Sequence, residues 1–169
     1  MVGSFRSPDG QMFERDIVRS PGAVAVVPVL FDPEGRASVV LVRQYRPACG
    51  QELIEIPAGM RDVPGEPTFE TARRELAEEV GLSAQVLEPL ARFHPSPGMT
   101  DSVTEIYLAT GCTSIGRDLQ GPEEEFMTEL HLPLDNAVTA VTDGTITDAK
   151  TVIGVLRAAE RLRTTDQGA

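Results

Sequence analysis

Arg74-Glu75-Leu76-Ala77-Glu78-Glu79-Val80-Gly81-Leu82 sets three carboxylates within five positions of one helical pattern. Glu75, Glu78 and Glu79 stand at i, i+3 and i+4, so a single turn presents them on one flank. Like charges placed this way repel by about a few tenths of a kcal/mol per pair in an isolated helix, unless a cation is shared among them. A divalent metal is one such cation. The plainer alternative is a solvated acidic face with an Arg74 to Glu78 ion pair.

The residues around the acids define the helix. At about 100° per residue, Phe69, Ala72, Leu76 and Val80 fall in one apolar stripe, and the three acids spread away from one edge of it. The acids therefore border a core. Pro67 suits the first turn, Thr68 or Glu66 can cap it, and Gly81 follows the last apolar residue as a left-handed stop. The helix is expected over Pro67 to Val80.

Upstream, Glu52-Leu53-Ile54-Glu55-Ile56-Pro57-Ala58-Gly59 is a short, mostly apolar strand that breaks at Pro-Ala-Gly. Met60-Arg61-Asp62-Val63-Pro64-Gly65-Glu66 then leads into the acidic helix. The order is strand, Gly/Pro loop, helix.

On these residues the chain resembles the Nudix family. The family pattern runs Gly, five residues, Glu, seven residues, then Arg-Glu-apolar-x-Glu-Glu-x-Gly-apolar, and Gly59, Glu66 and the run from Arg74 to Leu82 follow it with one departure. Six residues separate Gly59 from Glu66, so the loop is one residue longer than the pattern.

Composition limits the other possibilities. A chain of 169 residues with 41% hydrophobic content is a single-domain length with enough apolar residues for one core. With 15 basic against 26 acidic residues the net charge is -11, which disfavours non-specific binding to nucleic acid or to an anionic membrane. A polyanionic ligand must be met locally, by metal and a few arginines. Met1 to Ser20 carries charges throughout, so neither a signal peptide nor a membrane span is expected and the default location is cytoplasmic. Cys49 and Cys112 have no Cys-x-x-Cys partner, which argues against structural zinc and for two reduced thiols.

Along the chain, Phe5 to Val18 surrounds a Pro8-Asp9-Gly10 turn and reads as a small hairpin. Ala23 to Phe31 is a continuous apolar strand, followed by a turn and a pairing strand from Ala37 to Gln44. Leu53 to Pro57, Ala84 to Phe93, Val103 to Ala109 and Thr128 to Leu132 supply further strands. Two helical patterns follow, Leu134 to Val141 and about Asp148 to Arg163. The expected organisation is an N-terminal β segment over 1–20, one α+β domain over 21–163 and a frayed tail over 164–169. The resemblance implies an α/β/α sandwich around a mixed sheet, with the acidic helix on one side.

Further segments are similar to the ADP-ribose pyrophosphatase branch: Ser20-Pro21-Gly22-Ala23-Val24, Val42-Arg43-Gln44-Tyr45-Arg46, Glu55-Ile56-Pro57-Ala58-Gly59 and Ser96-Pro97-Gly98-Met99-Thr100. The likeness spans roughly residues 5 to 135, and related enzymes acting on other nucleoside diphosphate sugars share several of these segments. The implied reaction is Mg²⁺-dependent cleavage of ADP-ribose to AMP and ribose 5-phosphate, with Mn²⁺ a possible substitute. Another sugar nucleotide such as GDP-mannose is the alternative substrate. A non-catalytic ligand sensor is the alternative class.

The chemistry suits these groups. A diphosphate repels nucleophiles with its own charge, and divalent ions on its oxygens remove that barrier. Mg²⁺ takes hard oxygen ligands. Glu75 and Glu79 are the first candidates, followed by Glu78, and the resemblance adds the backbone carbonyl of Ala58. Arg74 would orient the acids and pair with Glu66, a structural role shared with Gly59 and Gly81. For the base, His94 and His131 have no acidic partner at motif spacing and read as packing residues. The resemblance points instead to the loop acids after Gly121-Pro122, with Glu125 aligned best and Glu123 the alternative.

Arg46 and Arg15 resemble arginines that approach ligand in this family, and a guanidinium fork can hold a phosphate. Glu55 either accepts a ligand hydrogen bond or faces solvent. Met60 and the loop containing Gly98 and Met99 would line the ribose or diphosphate end, and Phe13 could stack on adenine or serve packing. The hairpin is too small to stand alone, and in the resembling enzymes it packs on a second subunit, so a homodimer is expected.

Overall fold

The apolar run at the centre of the chain forms a strand covered on both faces. In a computed structural model that describes residues 1–116 and 127–166, this strand is β3 (Ala23–Phe31), and it pairs antiparallel with β4 (Ala37–Arg46). Alternate residues of a strand face opposite ways. Val24 and Val26 accordingly pack with Val40 and Val42 toward one helix, whereas Ala25, Val27 and Val29 pack with Val39 and Leu41 toward the other layer.

The remaining elements close the two layers. After β5 (Gln51–Glu55) and β6 (Ala58–Met60) comes α1 (Thr68–Val80), then β7 (Leu82–Ser83), β8 (Val86–Phe93), β9 (Thr104–Thr110), β10 (Thr113–Ser114) and β11 (Thr128–Pro133). Helices α2 (Leu134–Thr142) and α3 (Ala149–Asp166) follow. The main sheet runs β11-β4-β3-β9-β8, with β5 on β4 and β6 on β3; β3 and β9 are parallel and the other pairs antiparallel. Ala72, Leu76 and Val80 of α1 cover one face. Leu134 and Ala137 of α2, with Val155 and Ala158 of α3, cover the other. The expected α+β sandwich with a mixed sheet is the observed architecture.

Ahead of it, β1 (Val2–Arg6) and β2 (Met12–Asp16) form a hairpin with Phe5 opposite Phe13 and their ring centroids 5.8 Å apart. It is tied to the domain where the Val18 N–H donates to the Met99 carbonyl at 2.9 Å and Arg19 pairs with Asp101 at 2.7 Å. Among the described residues no helix is long and apolar enough to cross a membrane.

Several expectations need correction. The break at Pro57-Ala58-Gly59 is a strand switch: β5 ends at Glu55 on β4, and the chain resumes as β6 on β3, with Ala58 opposite Ala25. Pro57 has no N–H to give a ladder, and the Ile56 N–H goes to the Thr151 hydroxyl. The cap of α1 is Pro67, in extended conformation, and no side chain caps the helix. Thr68 is spent on Glu105 and Tyr107, and Glu66 accepts from Thr71. Phe69 leaves the apolar stripe and is 44% exposed, because the first turn turns Thr68 and Thr71 inward instead. Finally, α3 continues to Asp166, past the expected stop at Arg163.

Candidate active site

Helix α1 stands over β6, and its acids meet the β6 backbone there. Glu75 and Glu79, one turn apart, are only 7% and 6% exposed. The Glu79 Oε2 accepts the Ala58 N–H at 3.0 Å. The Glu75 carboxylate lies against Gly59, where a Cβ would overlap its carboxyl carbon and both oxygens. Gly59 is thus a glycine because an acid occupies the space a side chain would need. Gly81 ends α1 with φ 61° and ψ 34°, a left-handed cap that glycine adopts freely.

Arg74 gathers the acids. Its Nη1 donates to Glu75 Oε1 at 2.8 Å and to Glu78 Oε2 at 3.2 Å, and its Nη2 reaches Glu66 at 3.5 Å and Asp62 at 3.6 Å. Burial opposes the guanidinium charge, but Glu75, Glu66 and Glu78 together outweigh it and raise the Arg74 pKa. The Glu66 carboxyl is held below its ordinary range, chiefly by the Thr71 hydroxyl and then by Arg74. The acidic helix face carries the Arg74 to Glu78 ion pair, and it also sets two buried carboxylates, Glu75 and Glu79, against the neighbouring strand.

These groups fit a hard divalent cation. Carboxylate oxygens are its preferred donors, and Glu75 and Glu79 are buried on the side of α1 that faces the β6 backbone, with Glu78 at the rim. Among the described residues no three His, Cys, Asp or Glu groups are already converged as a metal cage; the acids are turned onto Arg74 and the Ala58 N–H. Ala58 lies beside Glu79, and the contact it shows is through its N–H, not through the carbonyl expected as a metal ligand. Glu123 and Glu125 lie outside the described residues.

A second polar cluster adjoins the first. Glu55 is 1% exposed, so it does not face solvent. Arg46 grips it as a fork, Nε to Oε1 and Nη2 to Oε2, both at 2.7 Å. Lys150 also donates to Glu55 Oε2, and its Nζ lies 3.1 Å from Asp148. Burial pushes the Glu55 carboxyl up, and Arg46 and Lys150 together more than reverse this, so its pKa lies below the ordinary value. The hydrogen bond to Glu55 raises the Arg46 pKa, and the charges of Asp148 and Glu79 add to that. Arg46 thus feels the acid of the α1 site. Neither Lys150 nor Asp148 stood out in the sequence. The placement of Asp148 at the start of a helical pattern was a usable signal, since its carboxylate accepts the Thr151 N–H at 3.0 Å and the Thr151 hydroxyl at 2.6 Å.

Other expected contacts lie elsewhere. Arg15, Phe13, Gly98 and Met99 share a pocket of about 420 Å³ between the hairpin and the loop after β8. The Arg15 guanidinium sits 5.0 Å from the Phe13 ring centroid and donates to the Glu14 carbonyl. Met60, at the end of β6, is exposed. His94 contacts the Ser102 carbonyl at 3.1 Å. His131 does have an acidic partner, Glu129, two residues away on the same face of β11; the pair is surface-exposed on the histidine side. Both cysteines are free thiols, and burial pushes the Cys112 thiol up.

Comparison with known proteins gives a consistent result. A family model described as NUDIX domain matches residues 21–152. The chain is 39% identical over 151 residues to an ADP-ribose pyrophosphatase of Mycobacterium tuberculosis, covering 89% of this chain and 71% of that one. It is 38% identical over 154 residues to a methanol dehydrogenase activator of Bacillus methanolicus, covering 91% and 80%. Among solved structures, one described as an ADP compounds hydrolase superposes with a TM-score of 0.78 at 26% identity, covering 96% of this chain and 84% of that chain.

Proposed function

Because the chain belongs to the Nudix hydrolase family, we propose that its substrate is ADP-ribose, cleaved at the diphosphate to AMP and ribose 5-phosphate with Mg²⁺. The observation that carries this reading is the seating of Glu75 on Gly59 beside the Glu79 contact to Ala58. It places two hard-oxygen donors in a buried wall beside a strand backbone. The likeness to an ADP-ribose pyrophosphatase supports the substrate.

In this reading Glu75 and Glu79 hold the metal, with Glu78 and the Ala58 carbonyl as further ligands. Arg74 orients Glu75 and Glu78 from their outer side. When bound, the metal neutralises diphosphate charge and polarises phosphorus toward water. Glu125, or Glu123, accepts the proton of that water. Arg46 approaches the diphosphate from the neighbouring cluster, and Arg15, Glu55, Met60, Gly98 and Met99 contribute to the rest of the substrate. No α1 residue lines the pocket containing Arg15 and Met99, which is consistent with a homodimer in which the hairpin serves a partner's site. Exposed Met1, Val2, Met12 and Phe13 on the hairpin give it an apolar surface to bury.

Product analysis with Mg²⁺ on ADP-ribose, GDP-mannose, diadenosine polyphosphates and nucleoside triphosphates tests the substrate. AMP and ribose 5-phosphate formed fastest from ADP-ribose is the expected result. Faster turnover of GDP-mannose would move the assignment to another sugar nucleotide, and no turnover of any would favour the sensor.

A further inference from the structure

We propose that Lys150 is a positioning residue for Arg46: it keeps the buried Glu55 carboxylate paired when the Arg46 guanidinium turns toward a bound diphosphate. This rests on the reading of Arg46 as a substrate contact of a sugar-nucleotide pyrophosphohydrolase.

Glu55 has two cations where one would suffice for a fork. A carboxylate with 1% exposure cannot shed its partner to water, and stripping a buried ion of its only counter-charge is strongly unfavourable. If Arg46 were the sole cation, its own pairing would hold it away from substrate. Lys150 removes that constraint.

The two cations are held differently. The Arg46 side chain is 35% exposed and lies at the outer end of β4. Lys150 is 15% exposed and is fixed by a closed chain of contacts at the start of α3. Its Nζ meets Asp148 at 3.1 Å, Asp148 accepts from the Thr151 N–H and hydroxyl, and the fully buried Thr151 accepts the Ile56 N–H at 2.8 Å, one residue beyond Glu55. Lys150 is the resident partner and Arg46 the one able to leave. Arg46 spends Nε and Nη2 on Glu55, so Nη1 is the guanidinium nitrogen outside the fork.

Steady-state kinetics on ADP-ribose with Mg²⁺, with thermal melting of each variant, provides the test. Arg46→Gln is expected to raise KM about tenfold or more. Lys150→Met is expected to raise KM by about tenfold with kcat within about twofold, and Lys150→Arg, which keeps the charge, to stay near wild type. In a Glu55→Gln background, where no carboxylate at position 55 is left to be stranded, Lys150→Met should have no further effect on KM. If Lys150→Met does not yield folded protein, Lys150→Gln is measured in its place. An unchanged KM in Arg46→Gln would overturn the reading of Arg46 itself. A raised KM in Arg46→Gln with an unchanged KM in Lys150→Met would overturn the Lys150 proposal alone, as would a Lys150 effect that persists undiminished in Glu55→Gln.

Discussion

The Glu75 carboxylate occupies the volume that any side chain at position 59 would fill. A helix acid and a strand glycine 16 positions apart are thereby fitted to each other.

Gly59→Ala should therefore damage the site from the strand side. The added methyl must displace Glu75 or push β6 from α1, at a cost of about 1–3 kcal/mol in stability. Turnover should fall more than stability alone explains, since enough protein stays folded. Denaturant unfolding and kcat measured on the same preparation check both parts.

Leu76 sits between the acids and is 1% exposed, packed with Val24, Val26 and Val40. Leu76→Ala is expected to cost about 2–5 kcal/mol by leaving a cavity under the acidic face. Equilibrium unfolding in urea measures it.

The Glu55 cluster gives a pH dependence with a definite sign. Its carboxyl is lowered in the folded chain below its usual value of 4.5, so the stability it contributes is present above the unfolded value and lost as pH falls through the folded one. Wild type should lose stability progressively below about pH 4.5. Glu55→Gln should be less stable at neutral pH and should show a shallower acid slope. Urea midpoints across roughly pH 3 to pH 7 report the difference.

The hairpin predicts a dimer. Light scattering at micromolar concentration should give twice the 18.2 kDa chain mass, and removal of residues 1–16 should give a monomer. A wild-type monomer would contradict it.

Much of this was legible locally. The α1 helix, the glycine stop at Gly81 and the apolar β3 strand follow from periodicity and from glycine's freedom at positive φ, both of which are short-range properties. The strand switch at Ile56-Pro57 was not, because it depends on β5 and β6 choosing different partners, β4 and β3, on the sheet. Glu55 illustrates the same limit. An acid within an apolar strand reads as either a ligand contact or a solvent-facing position until its counter-charge is known, and Lys150, 95 residues later, gives no local sign of that role. Thr68 and Phe69 misled for a related reason: hydroxyl partners on β9, at Glu105 and Tyr107, decide which residues of the first turn face inward.

The most direct measurement is the Mg²⁺-dependent rate of ADP-ribose hydrolysis by wild type and Glu79→Gln side by side. Glutamine can still accept the Ala58 N–H, so the fold and melting temperature should be retained. It removes one of the carboxylate charges proposed to hold metal, so kcat/KM should fall by roughly a hundredfold or more. Wild-type rates in the folded Glu79→Gln protein would contradict the assignment of the α1 acids to metal and catalysis.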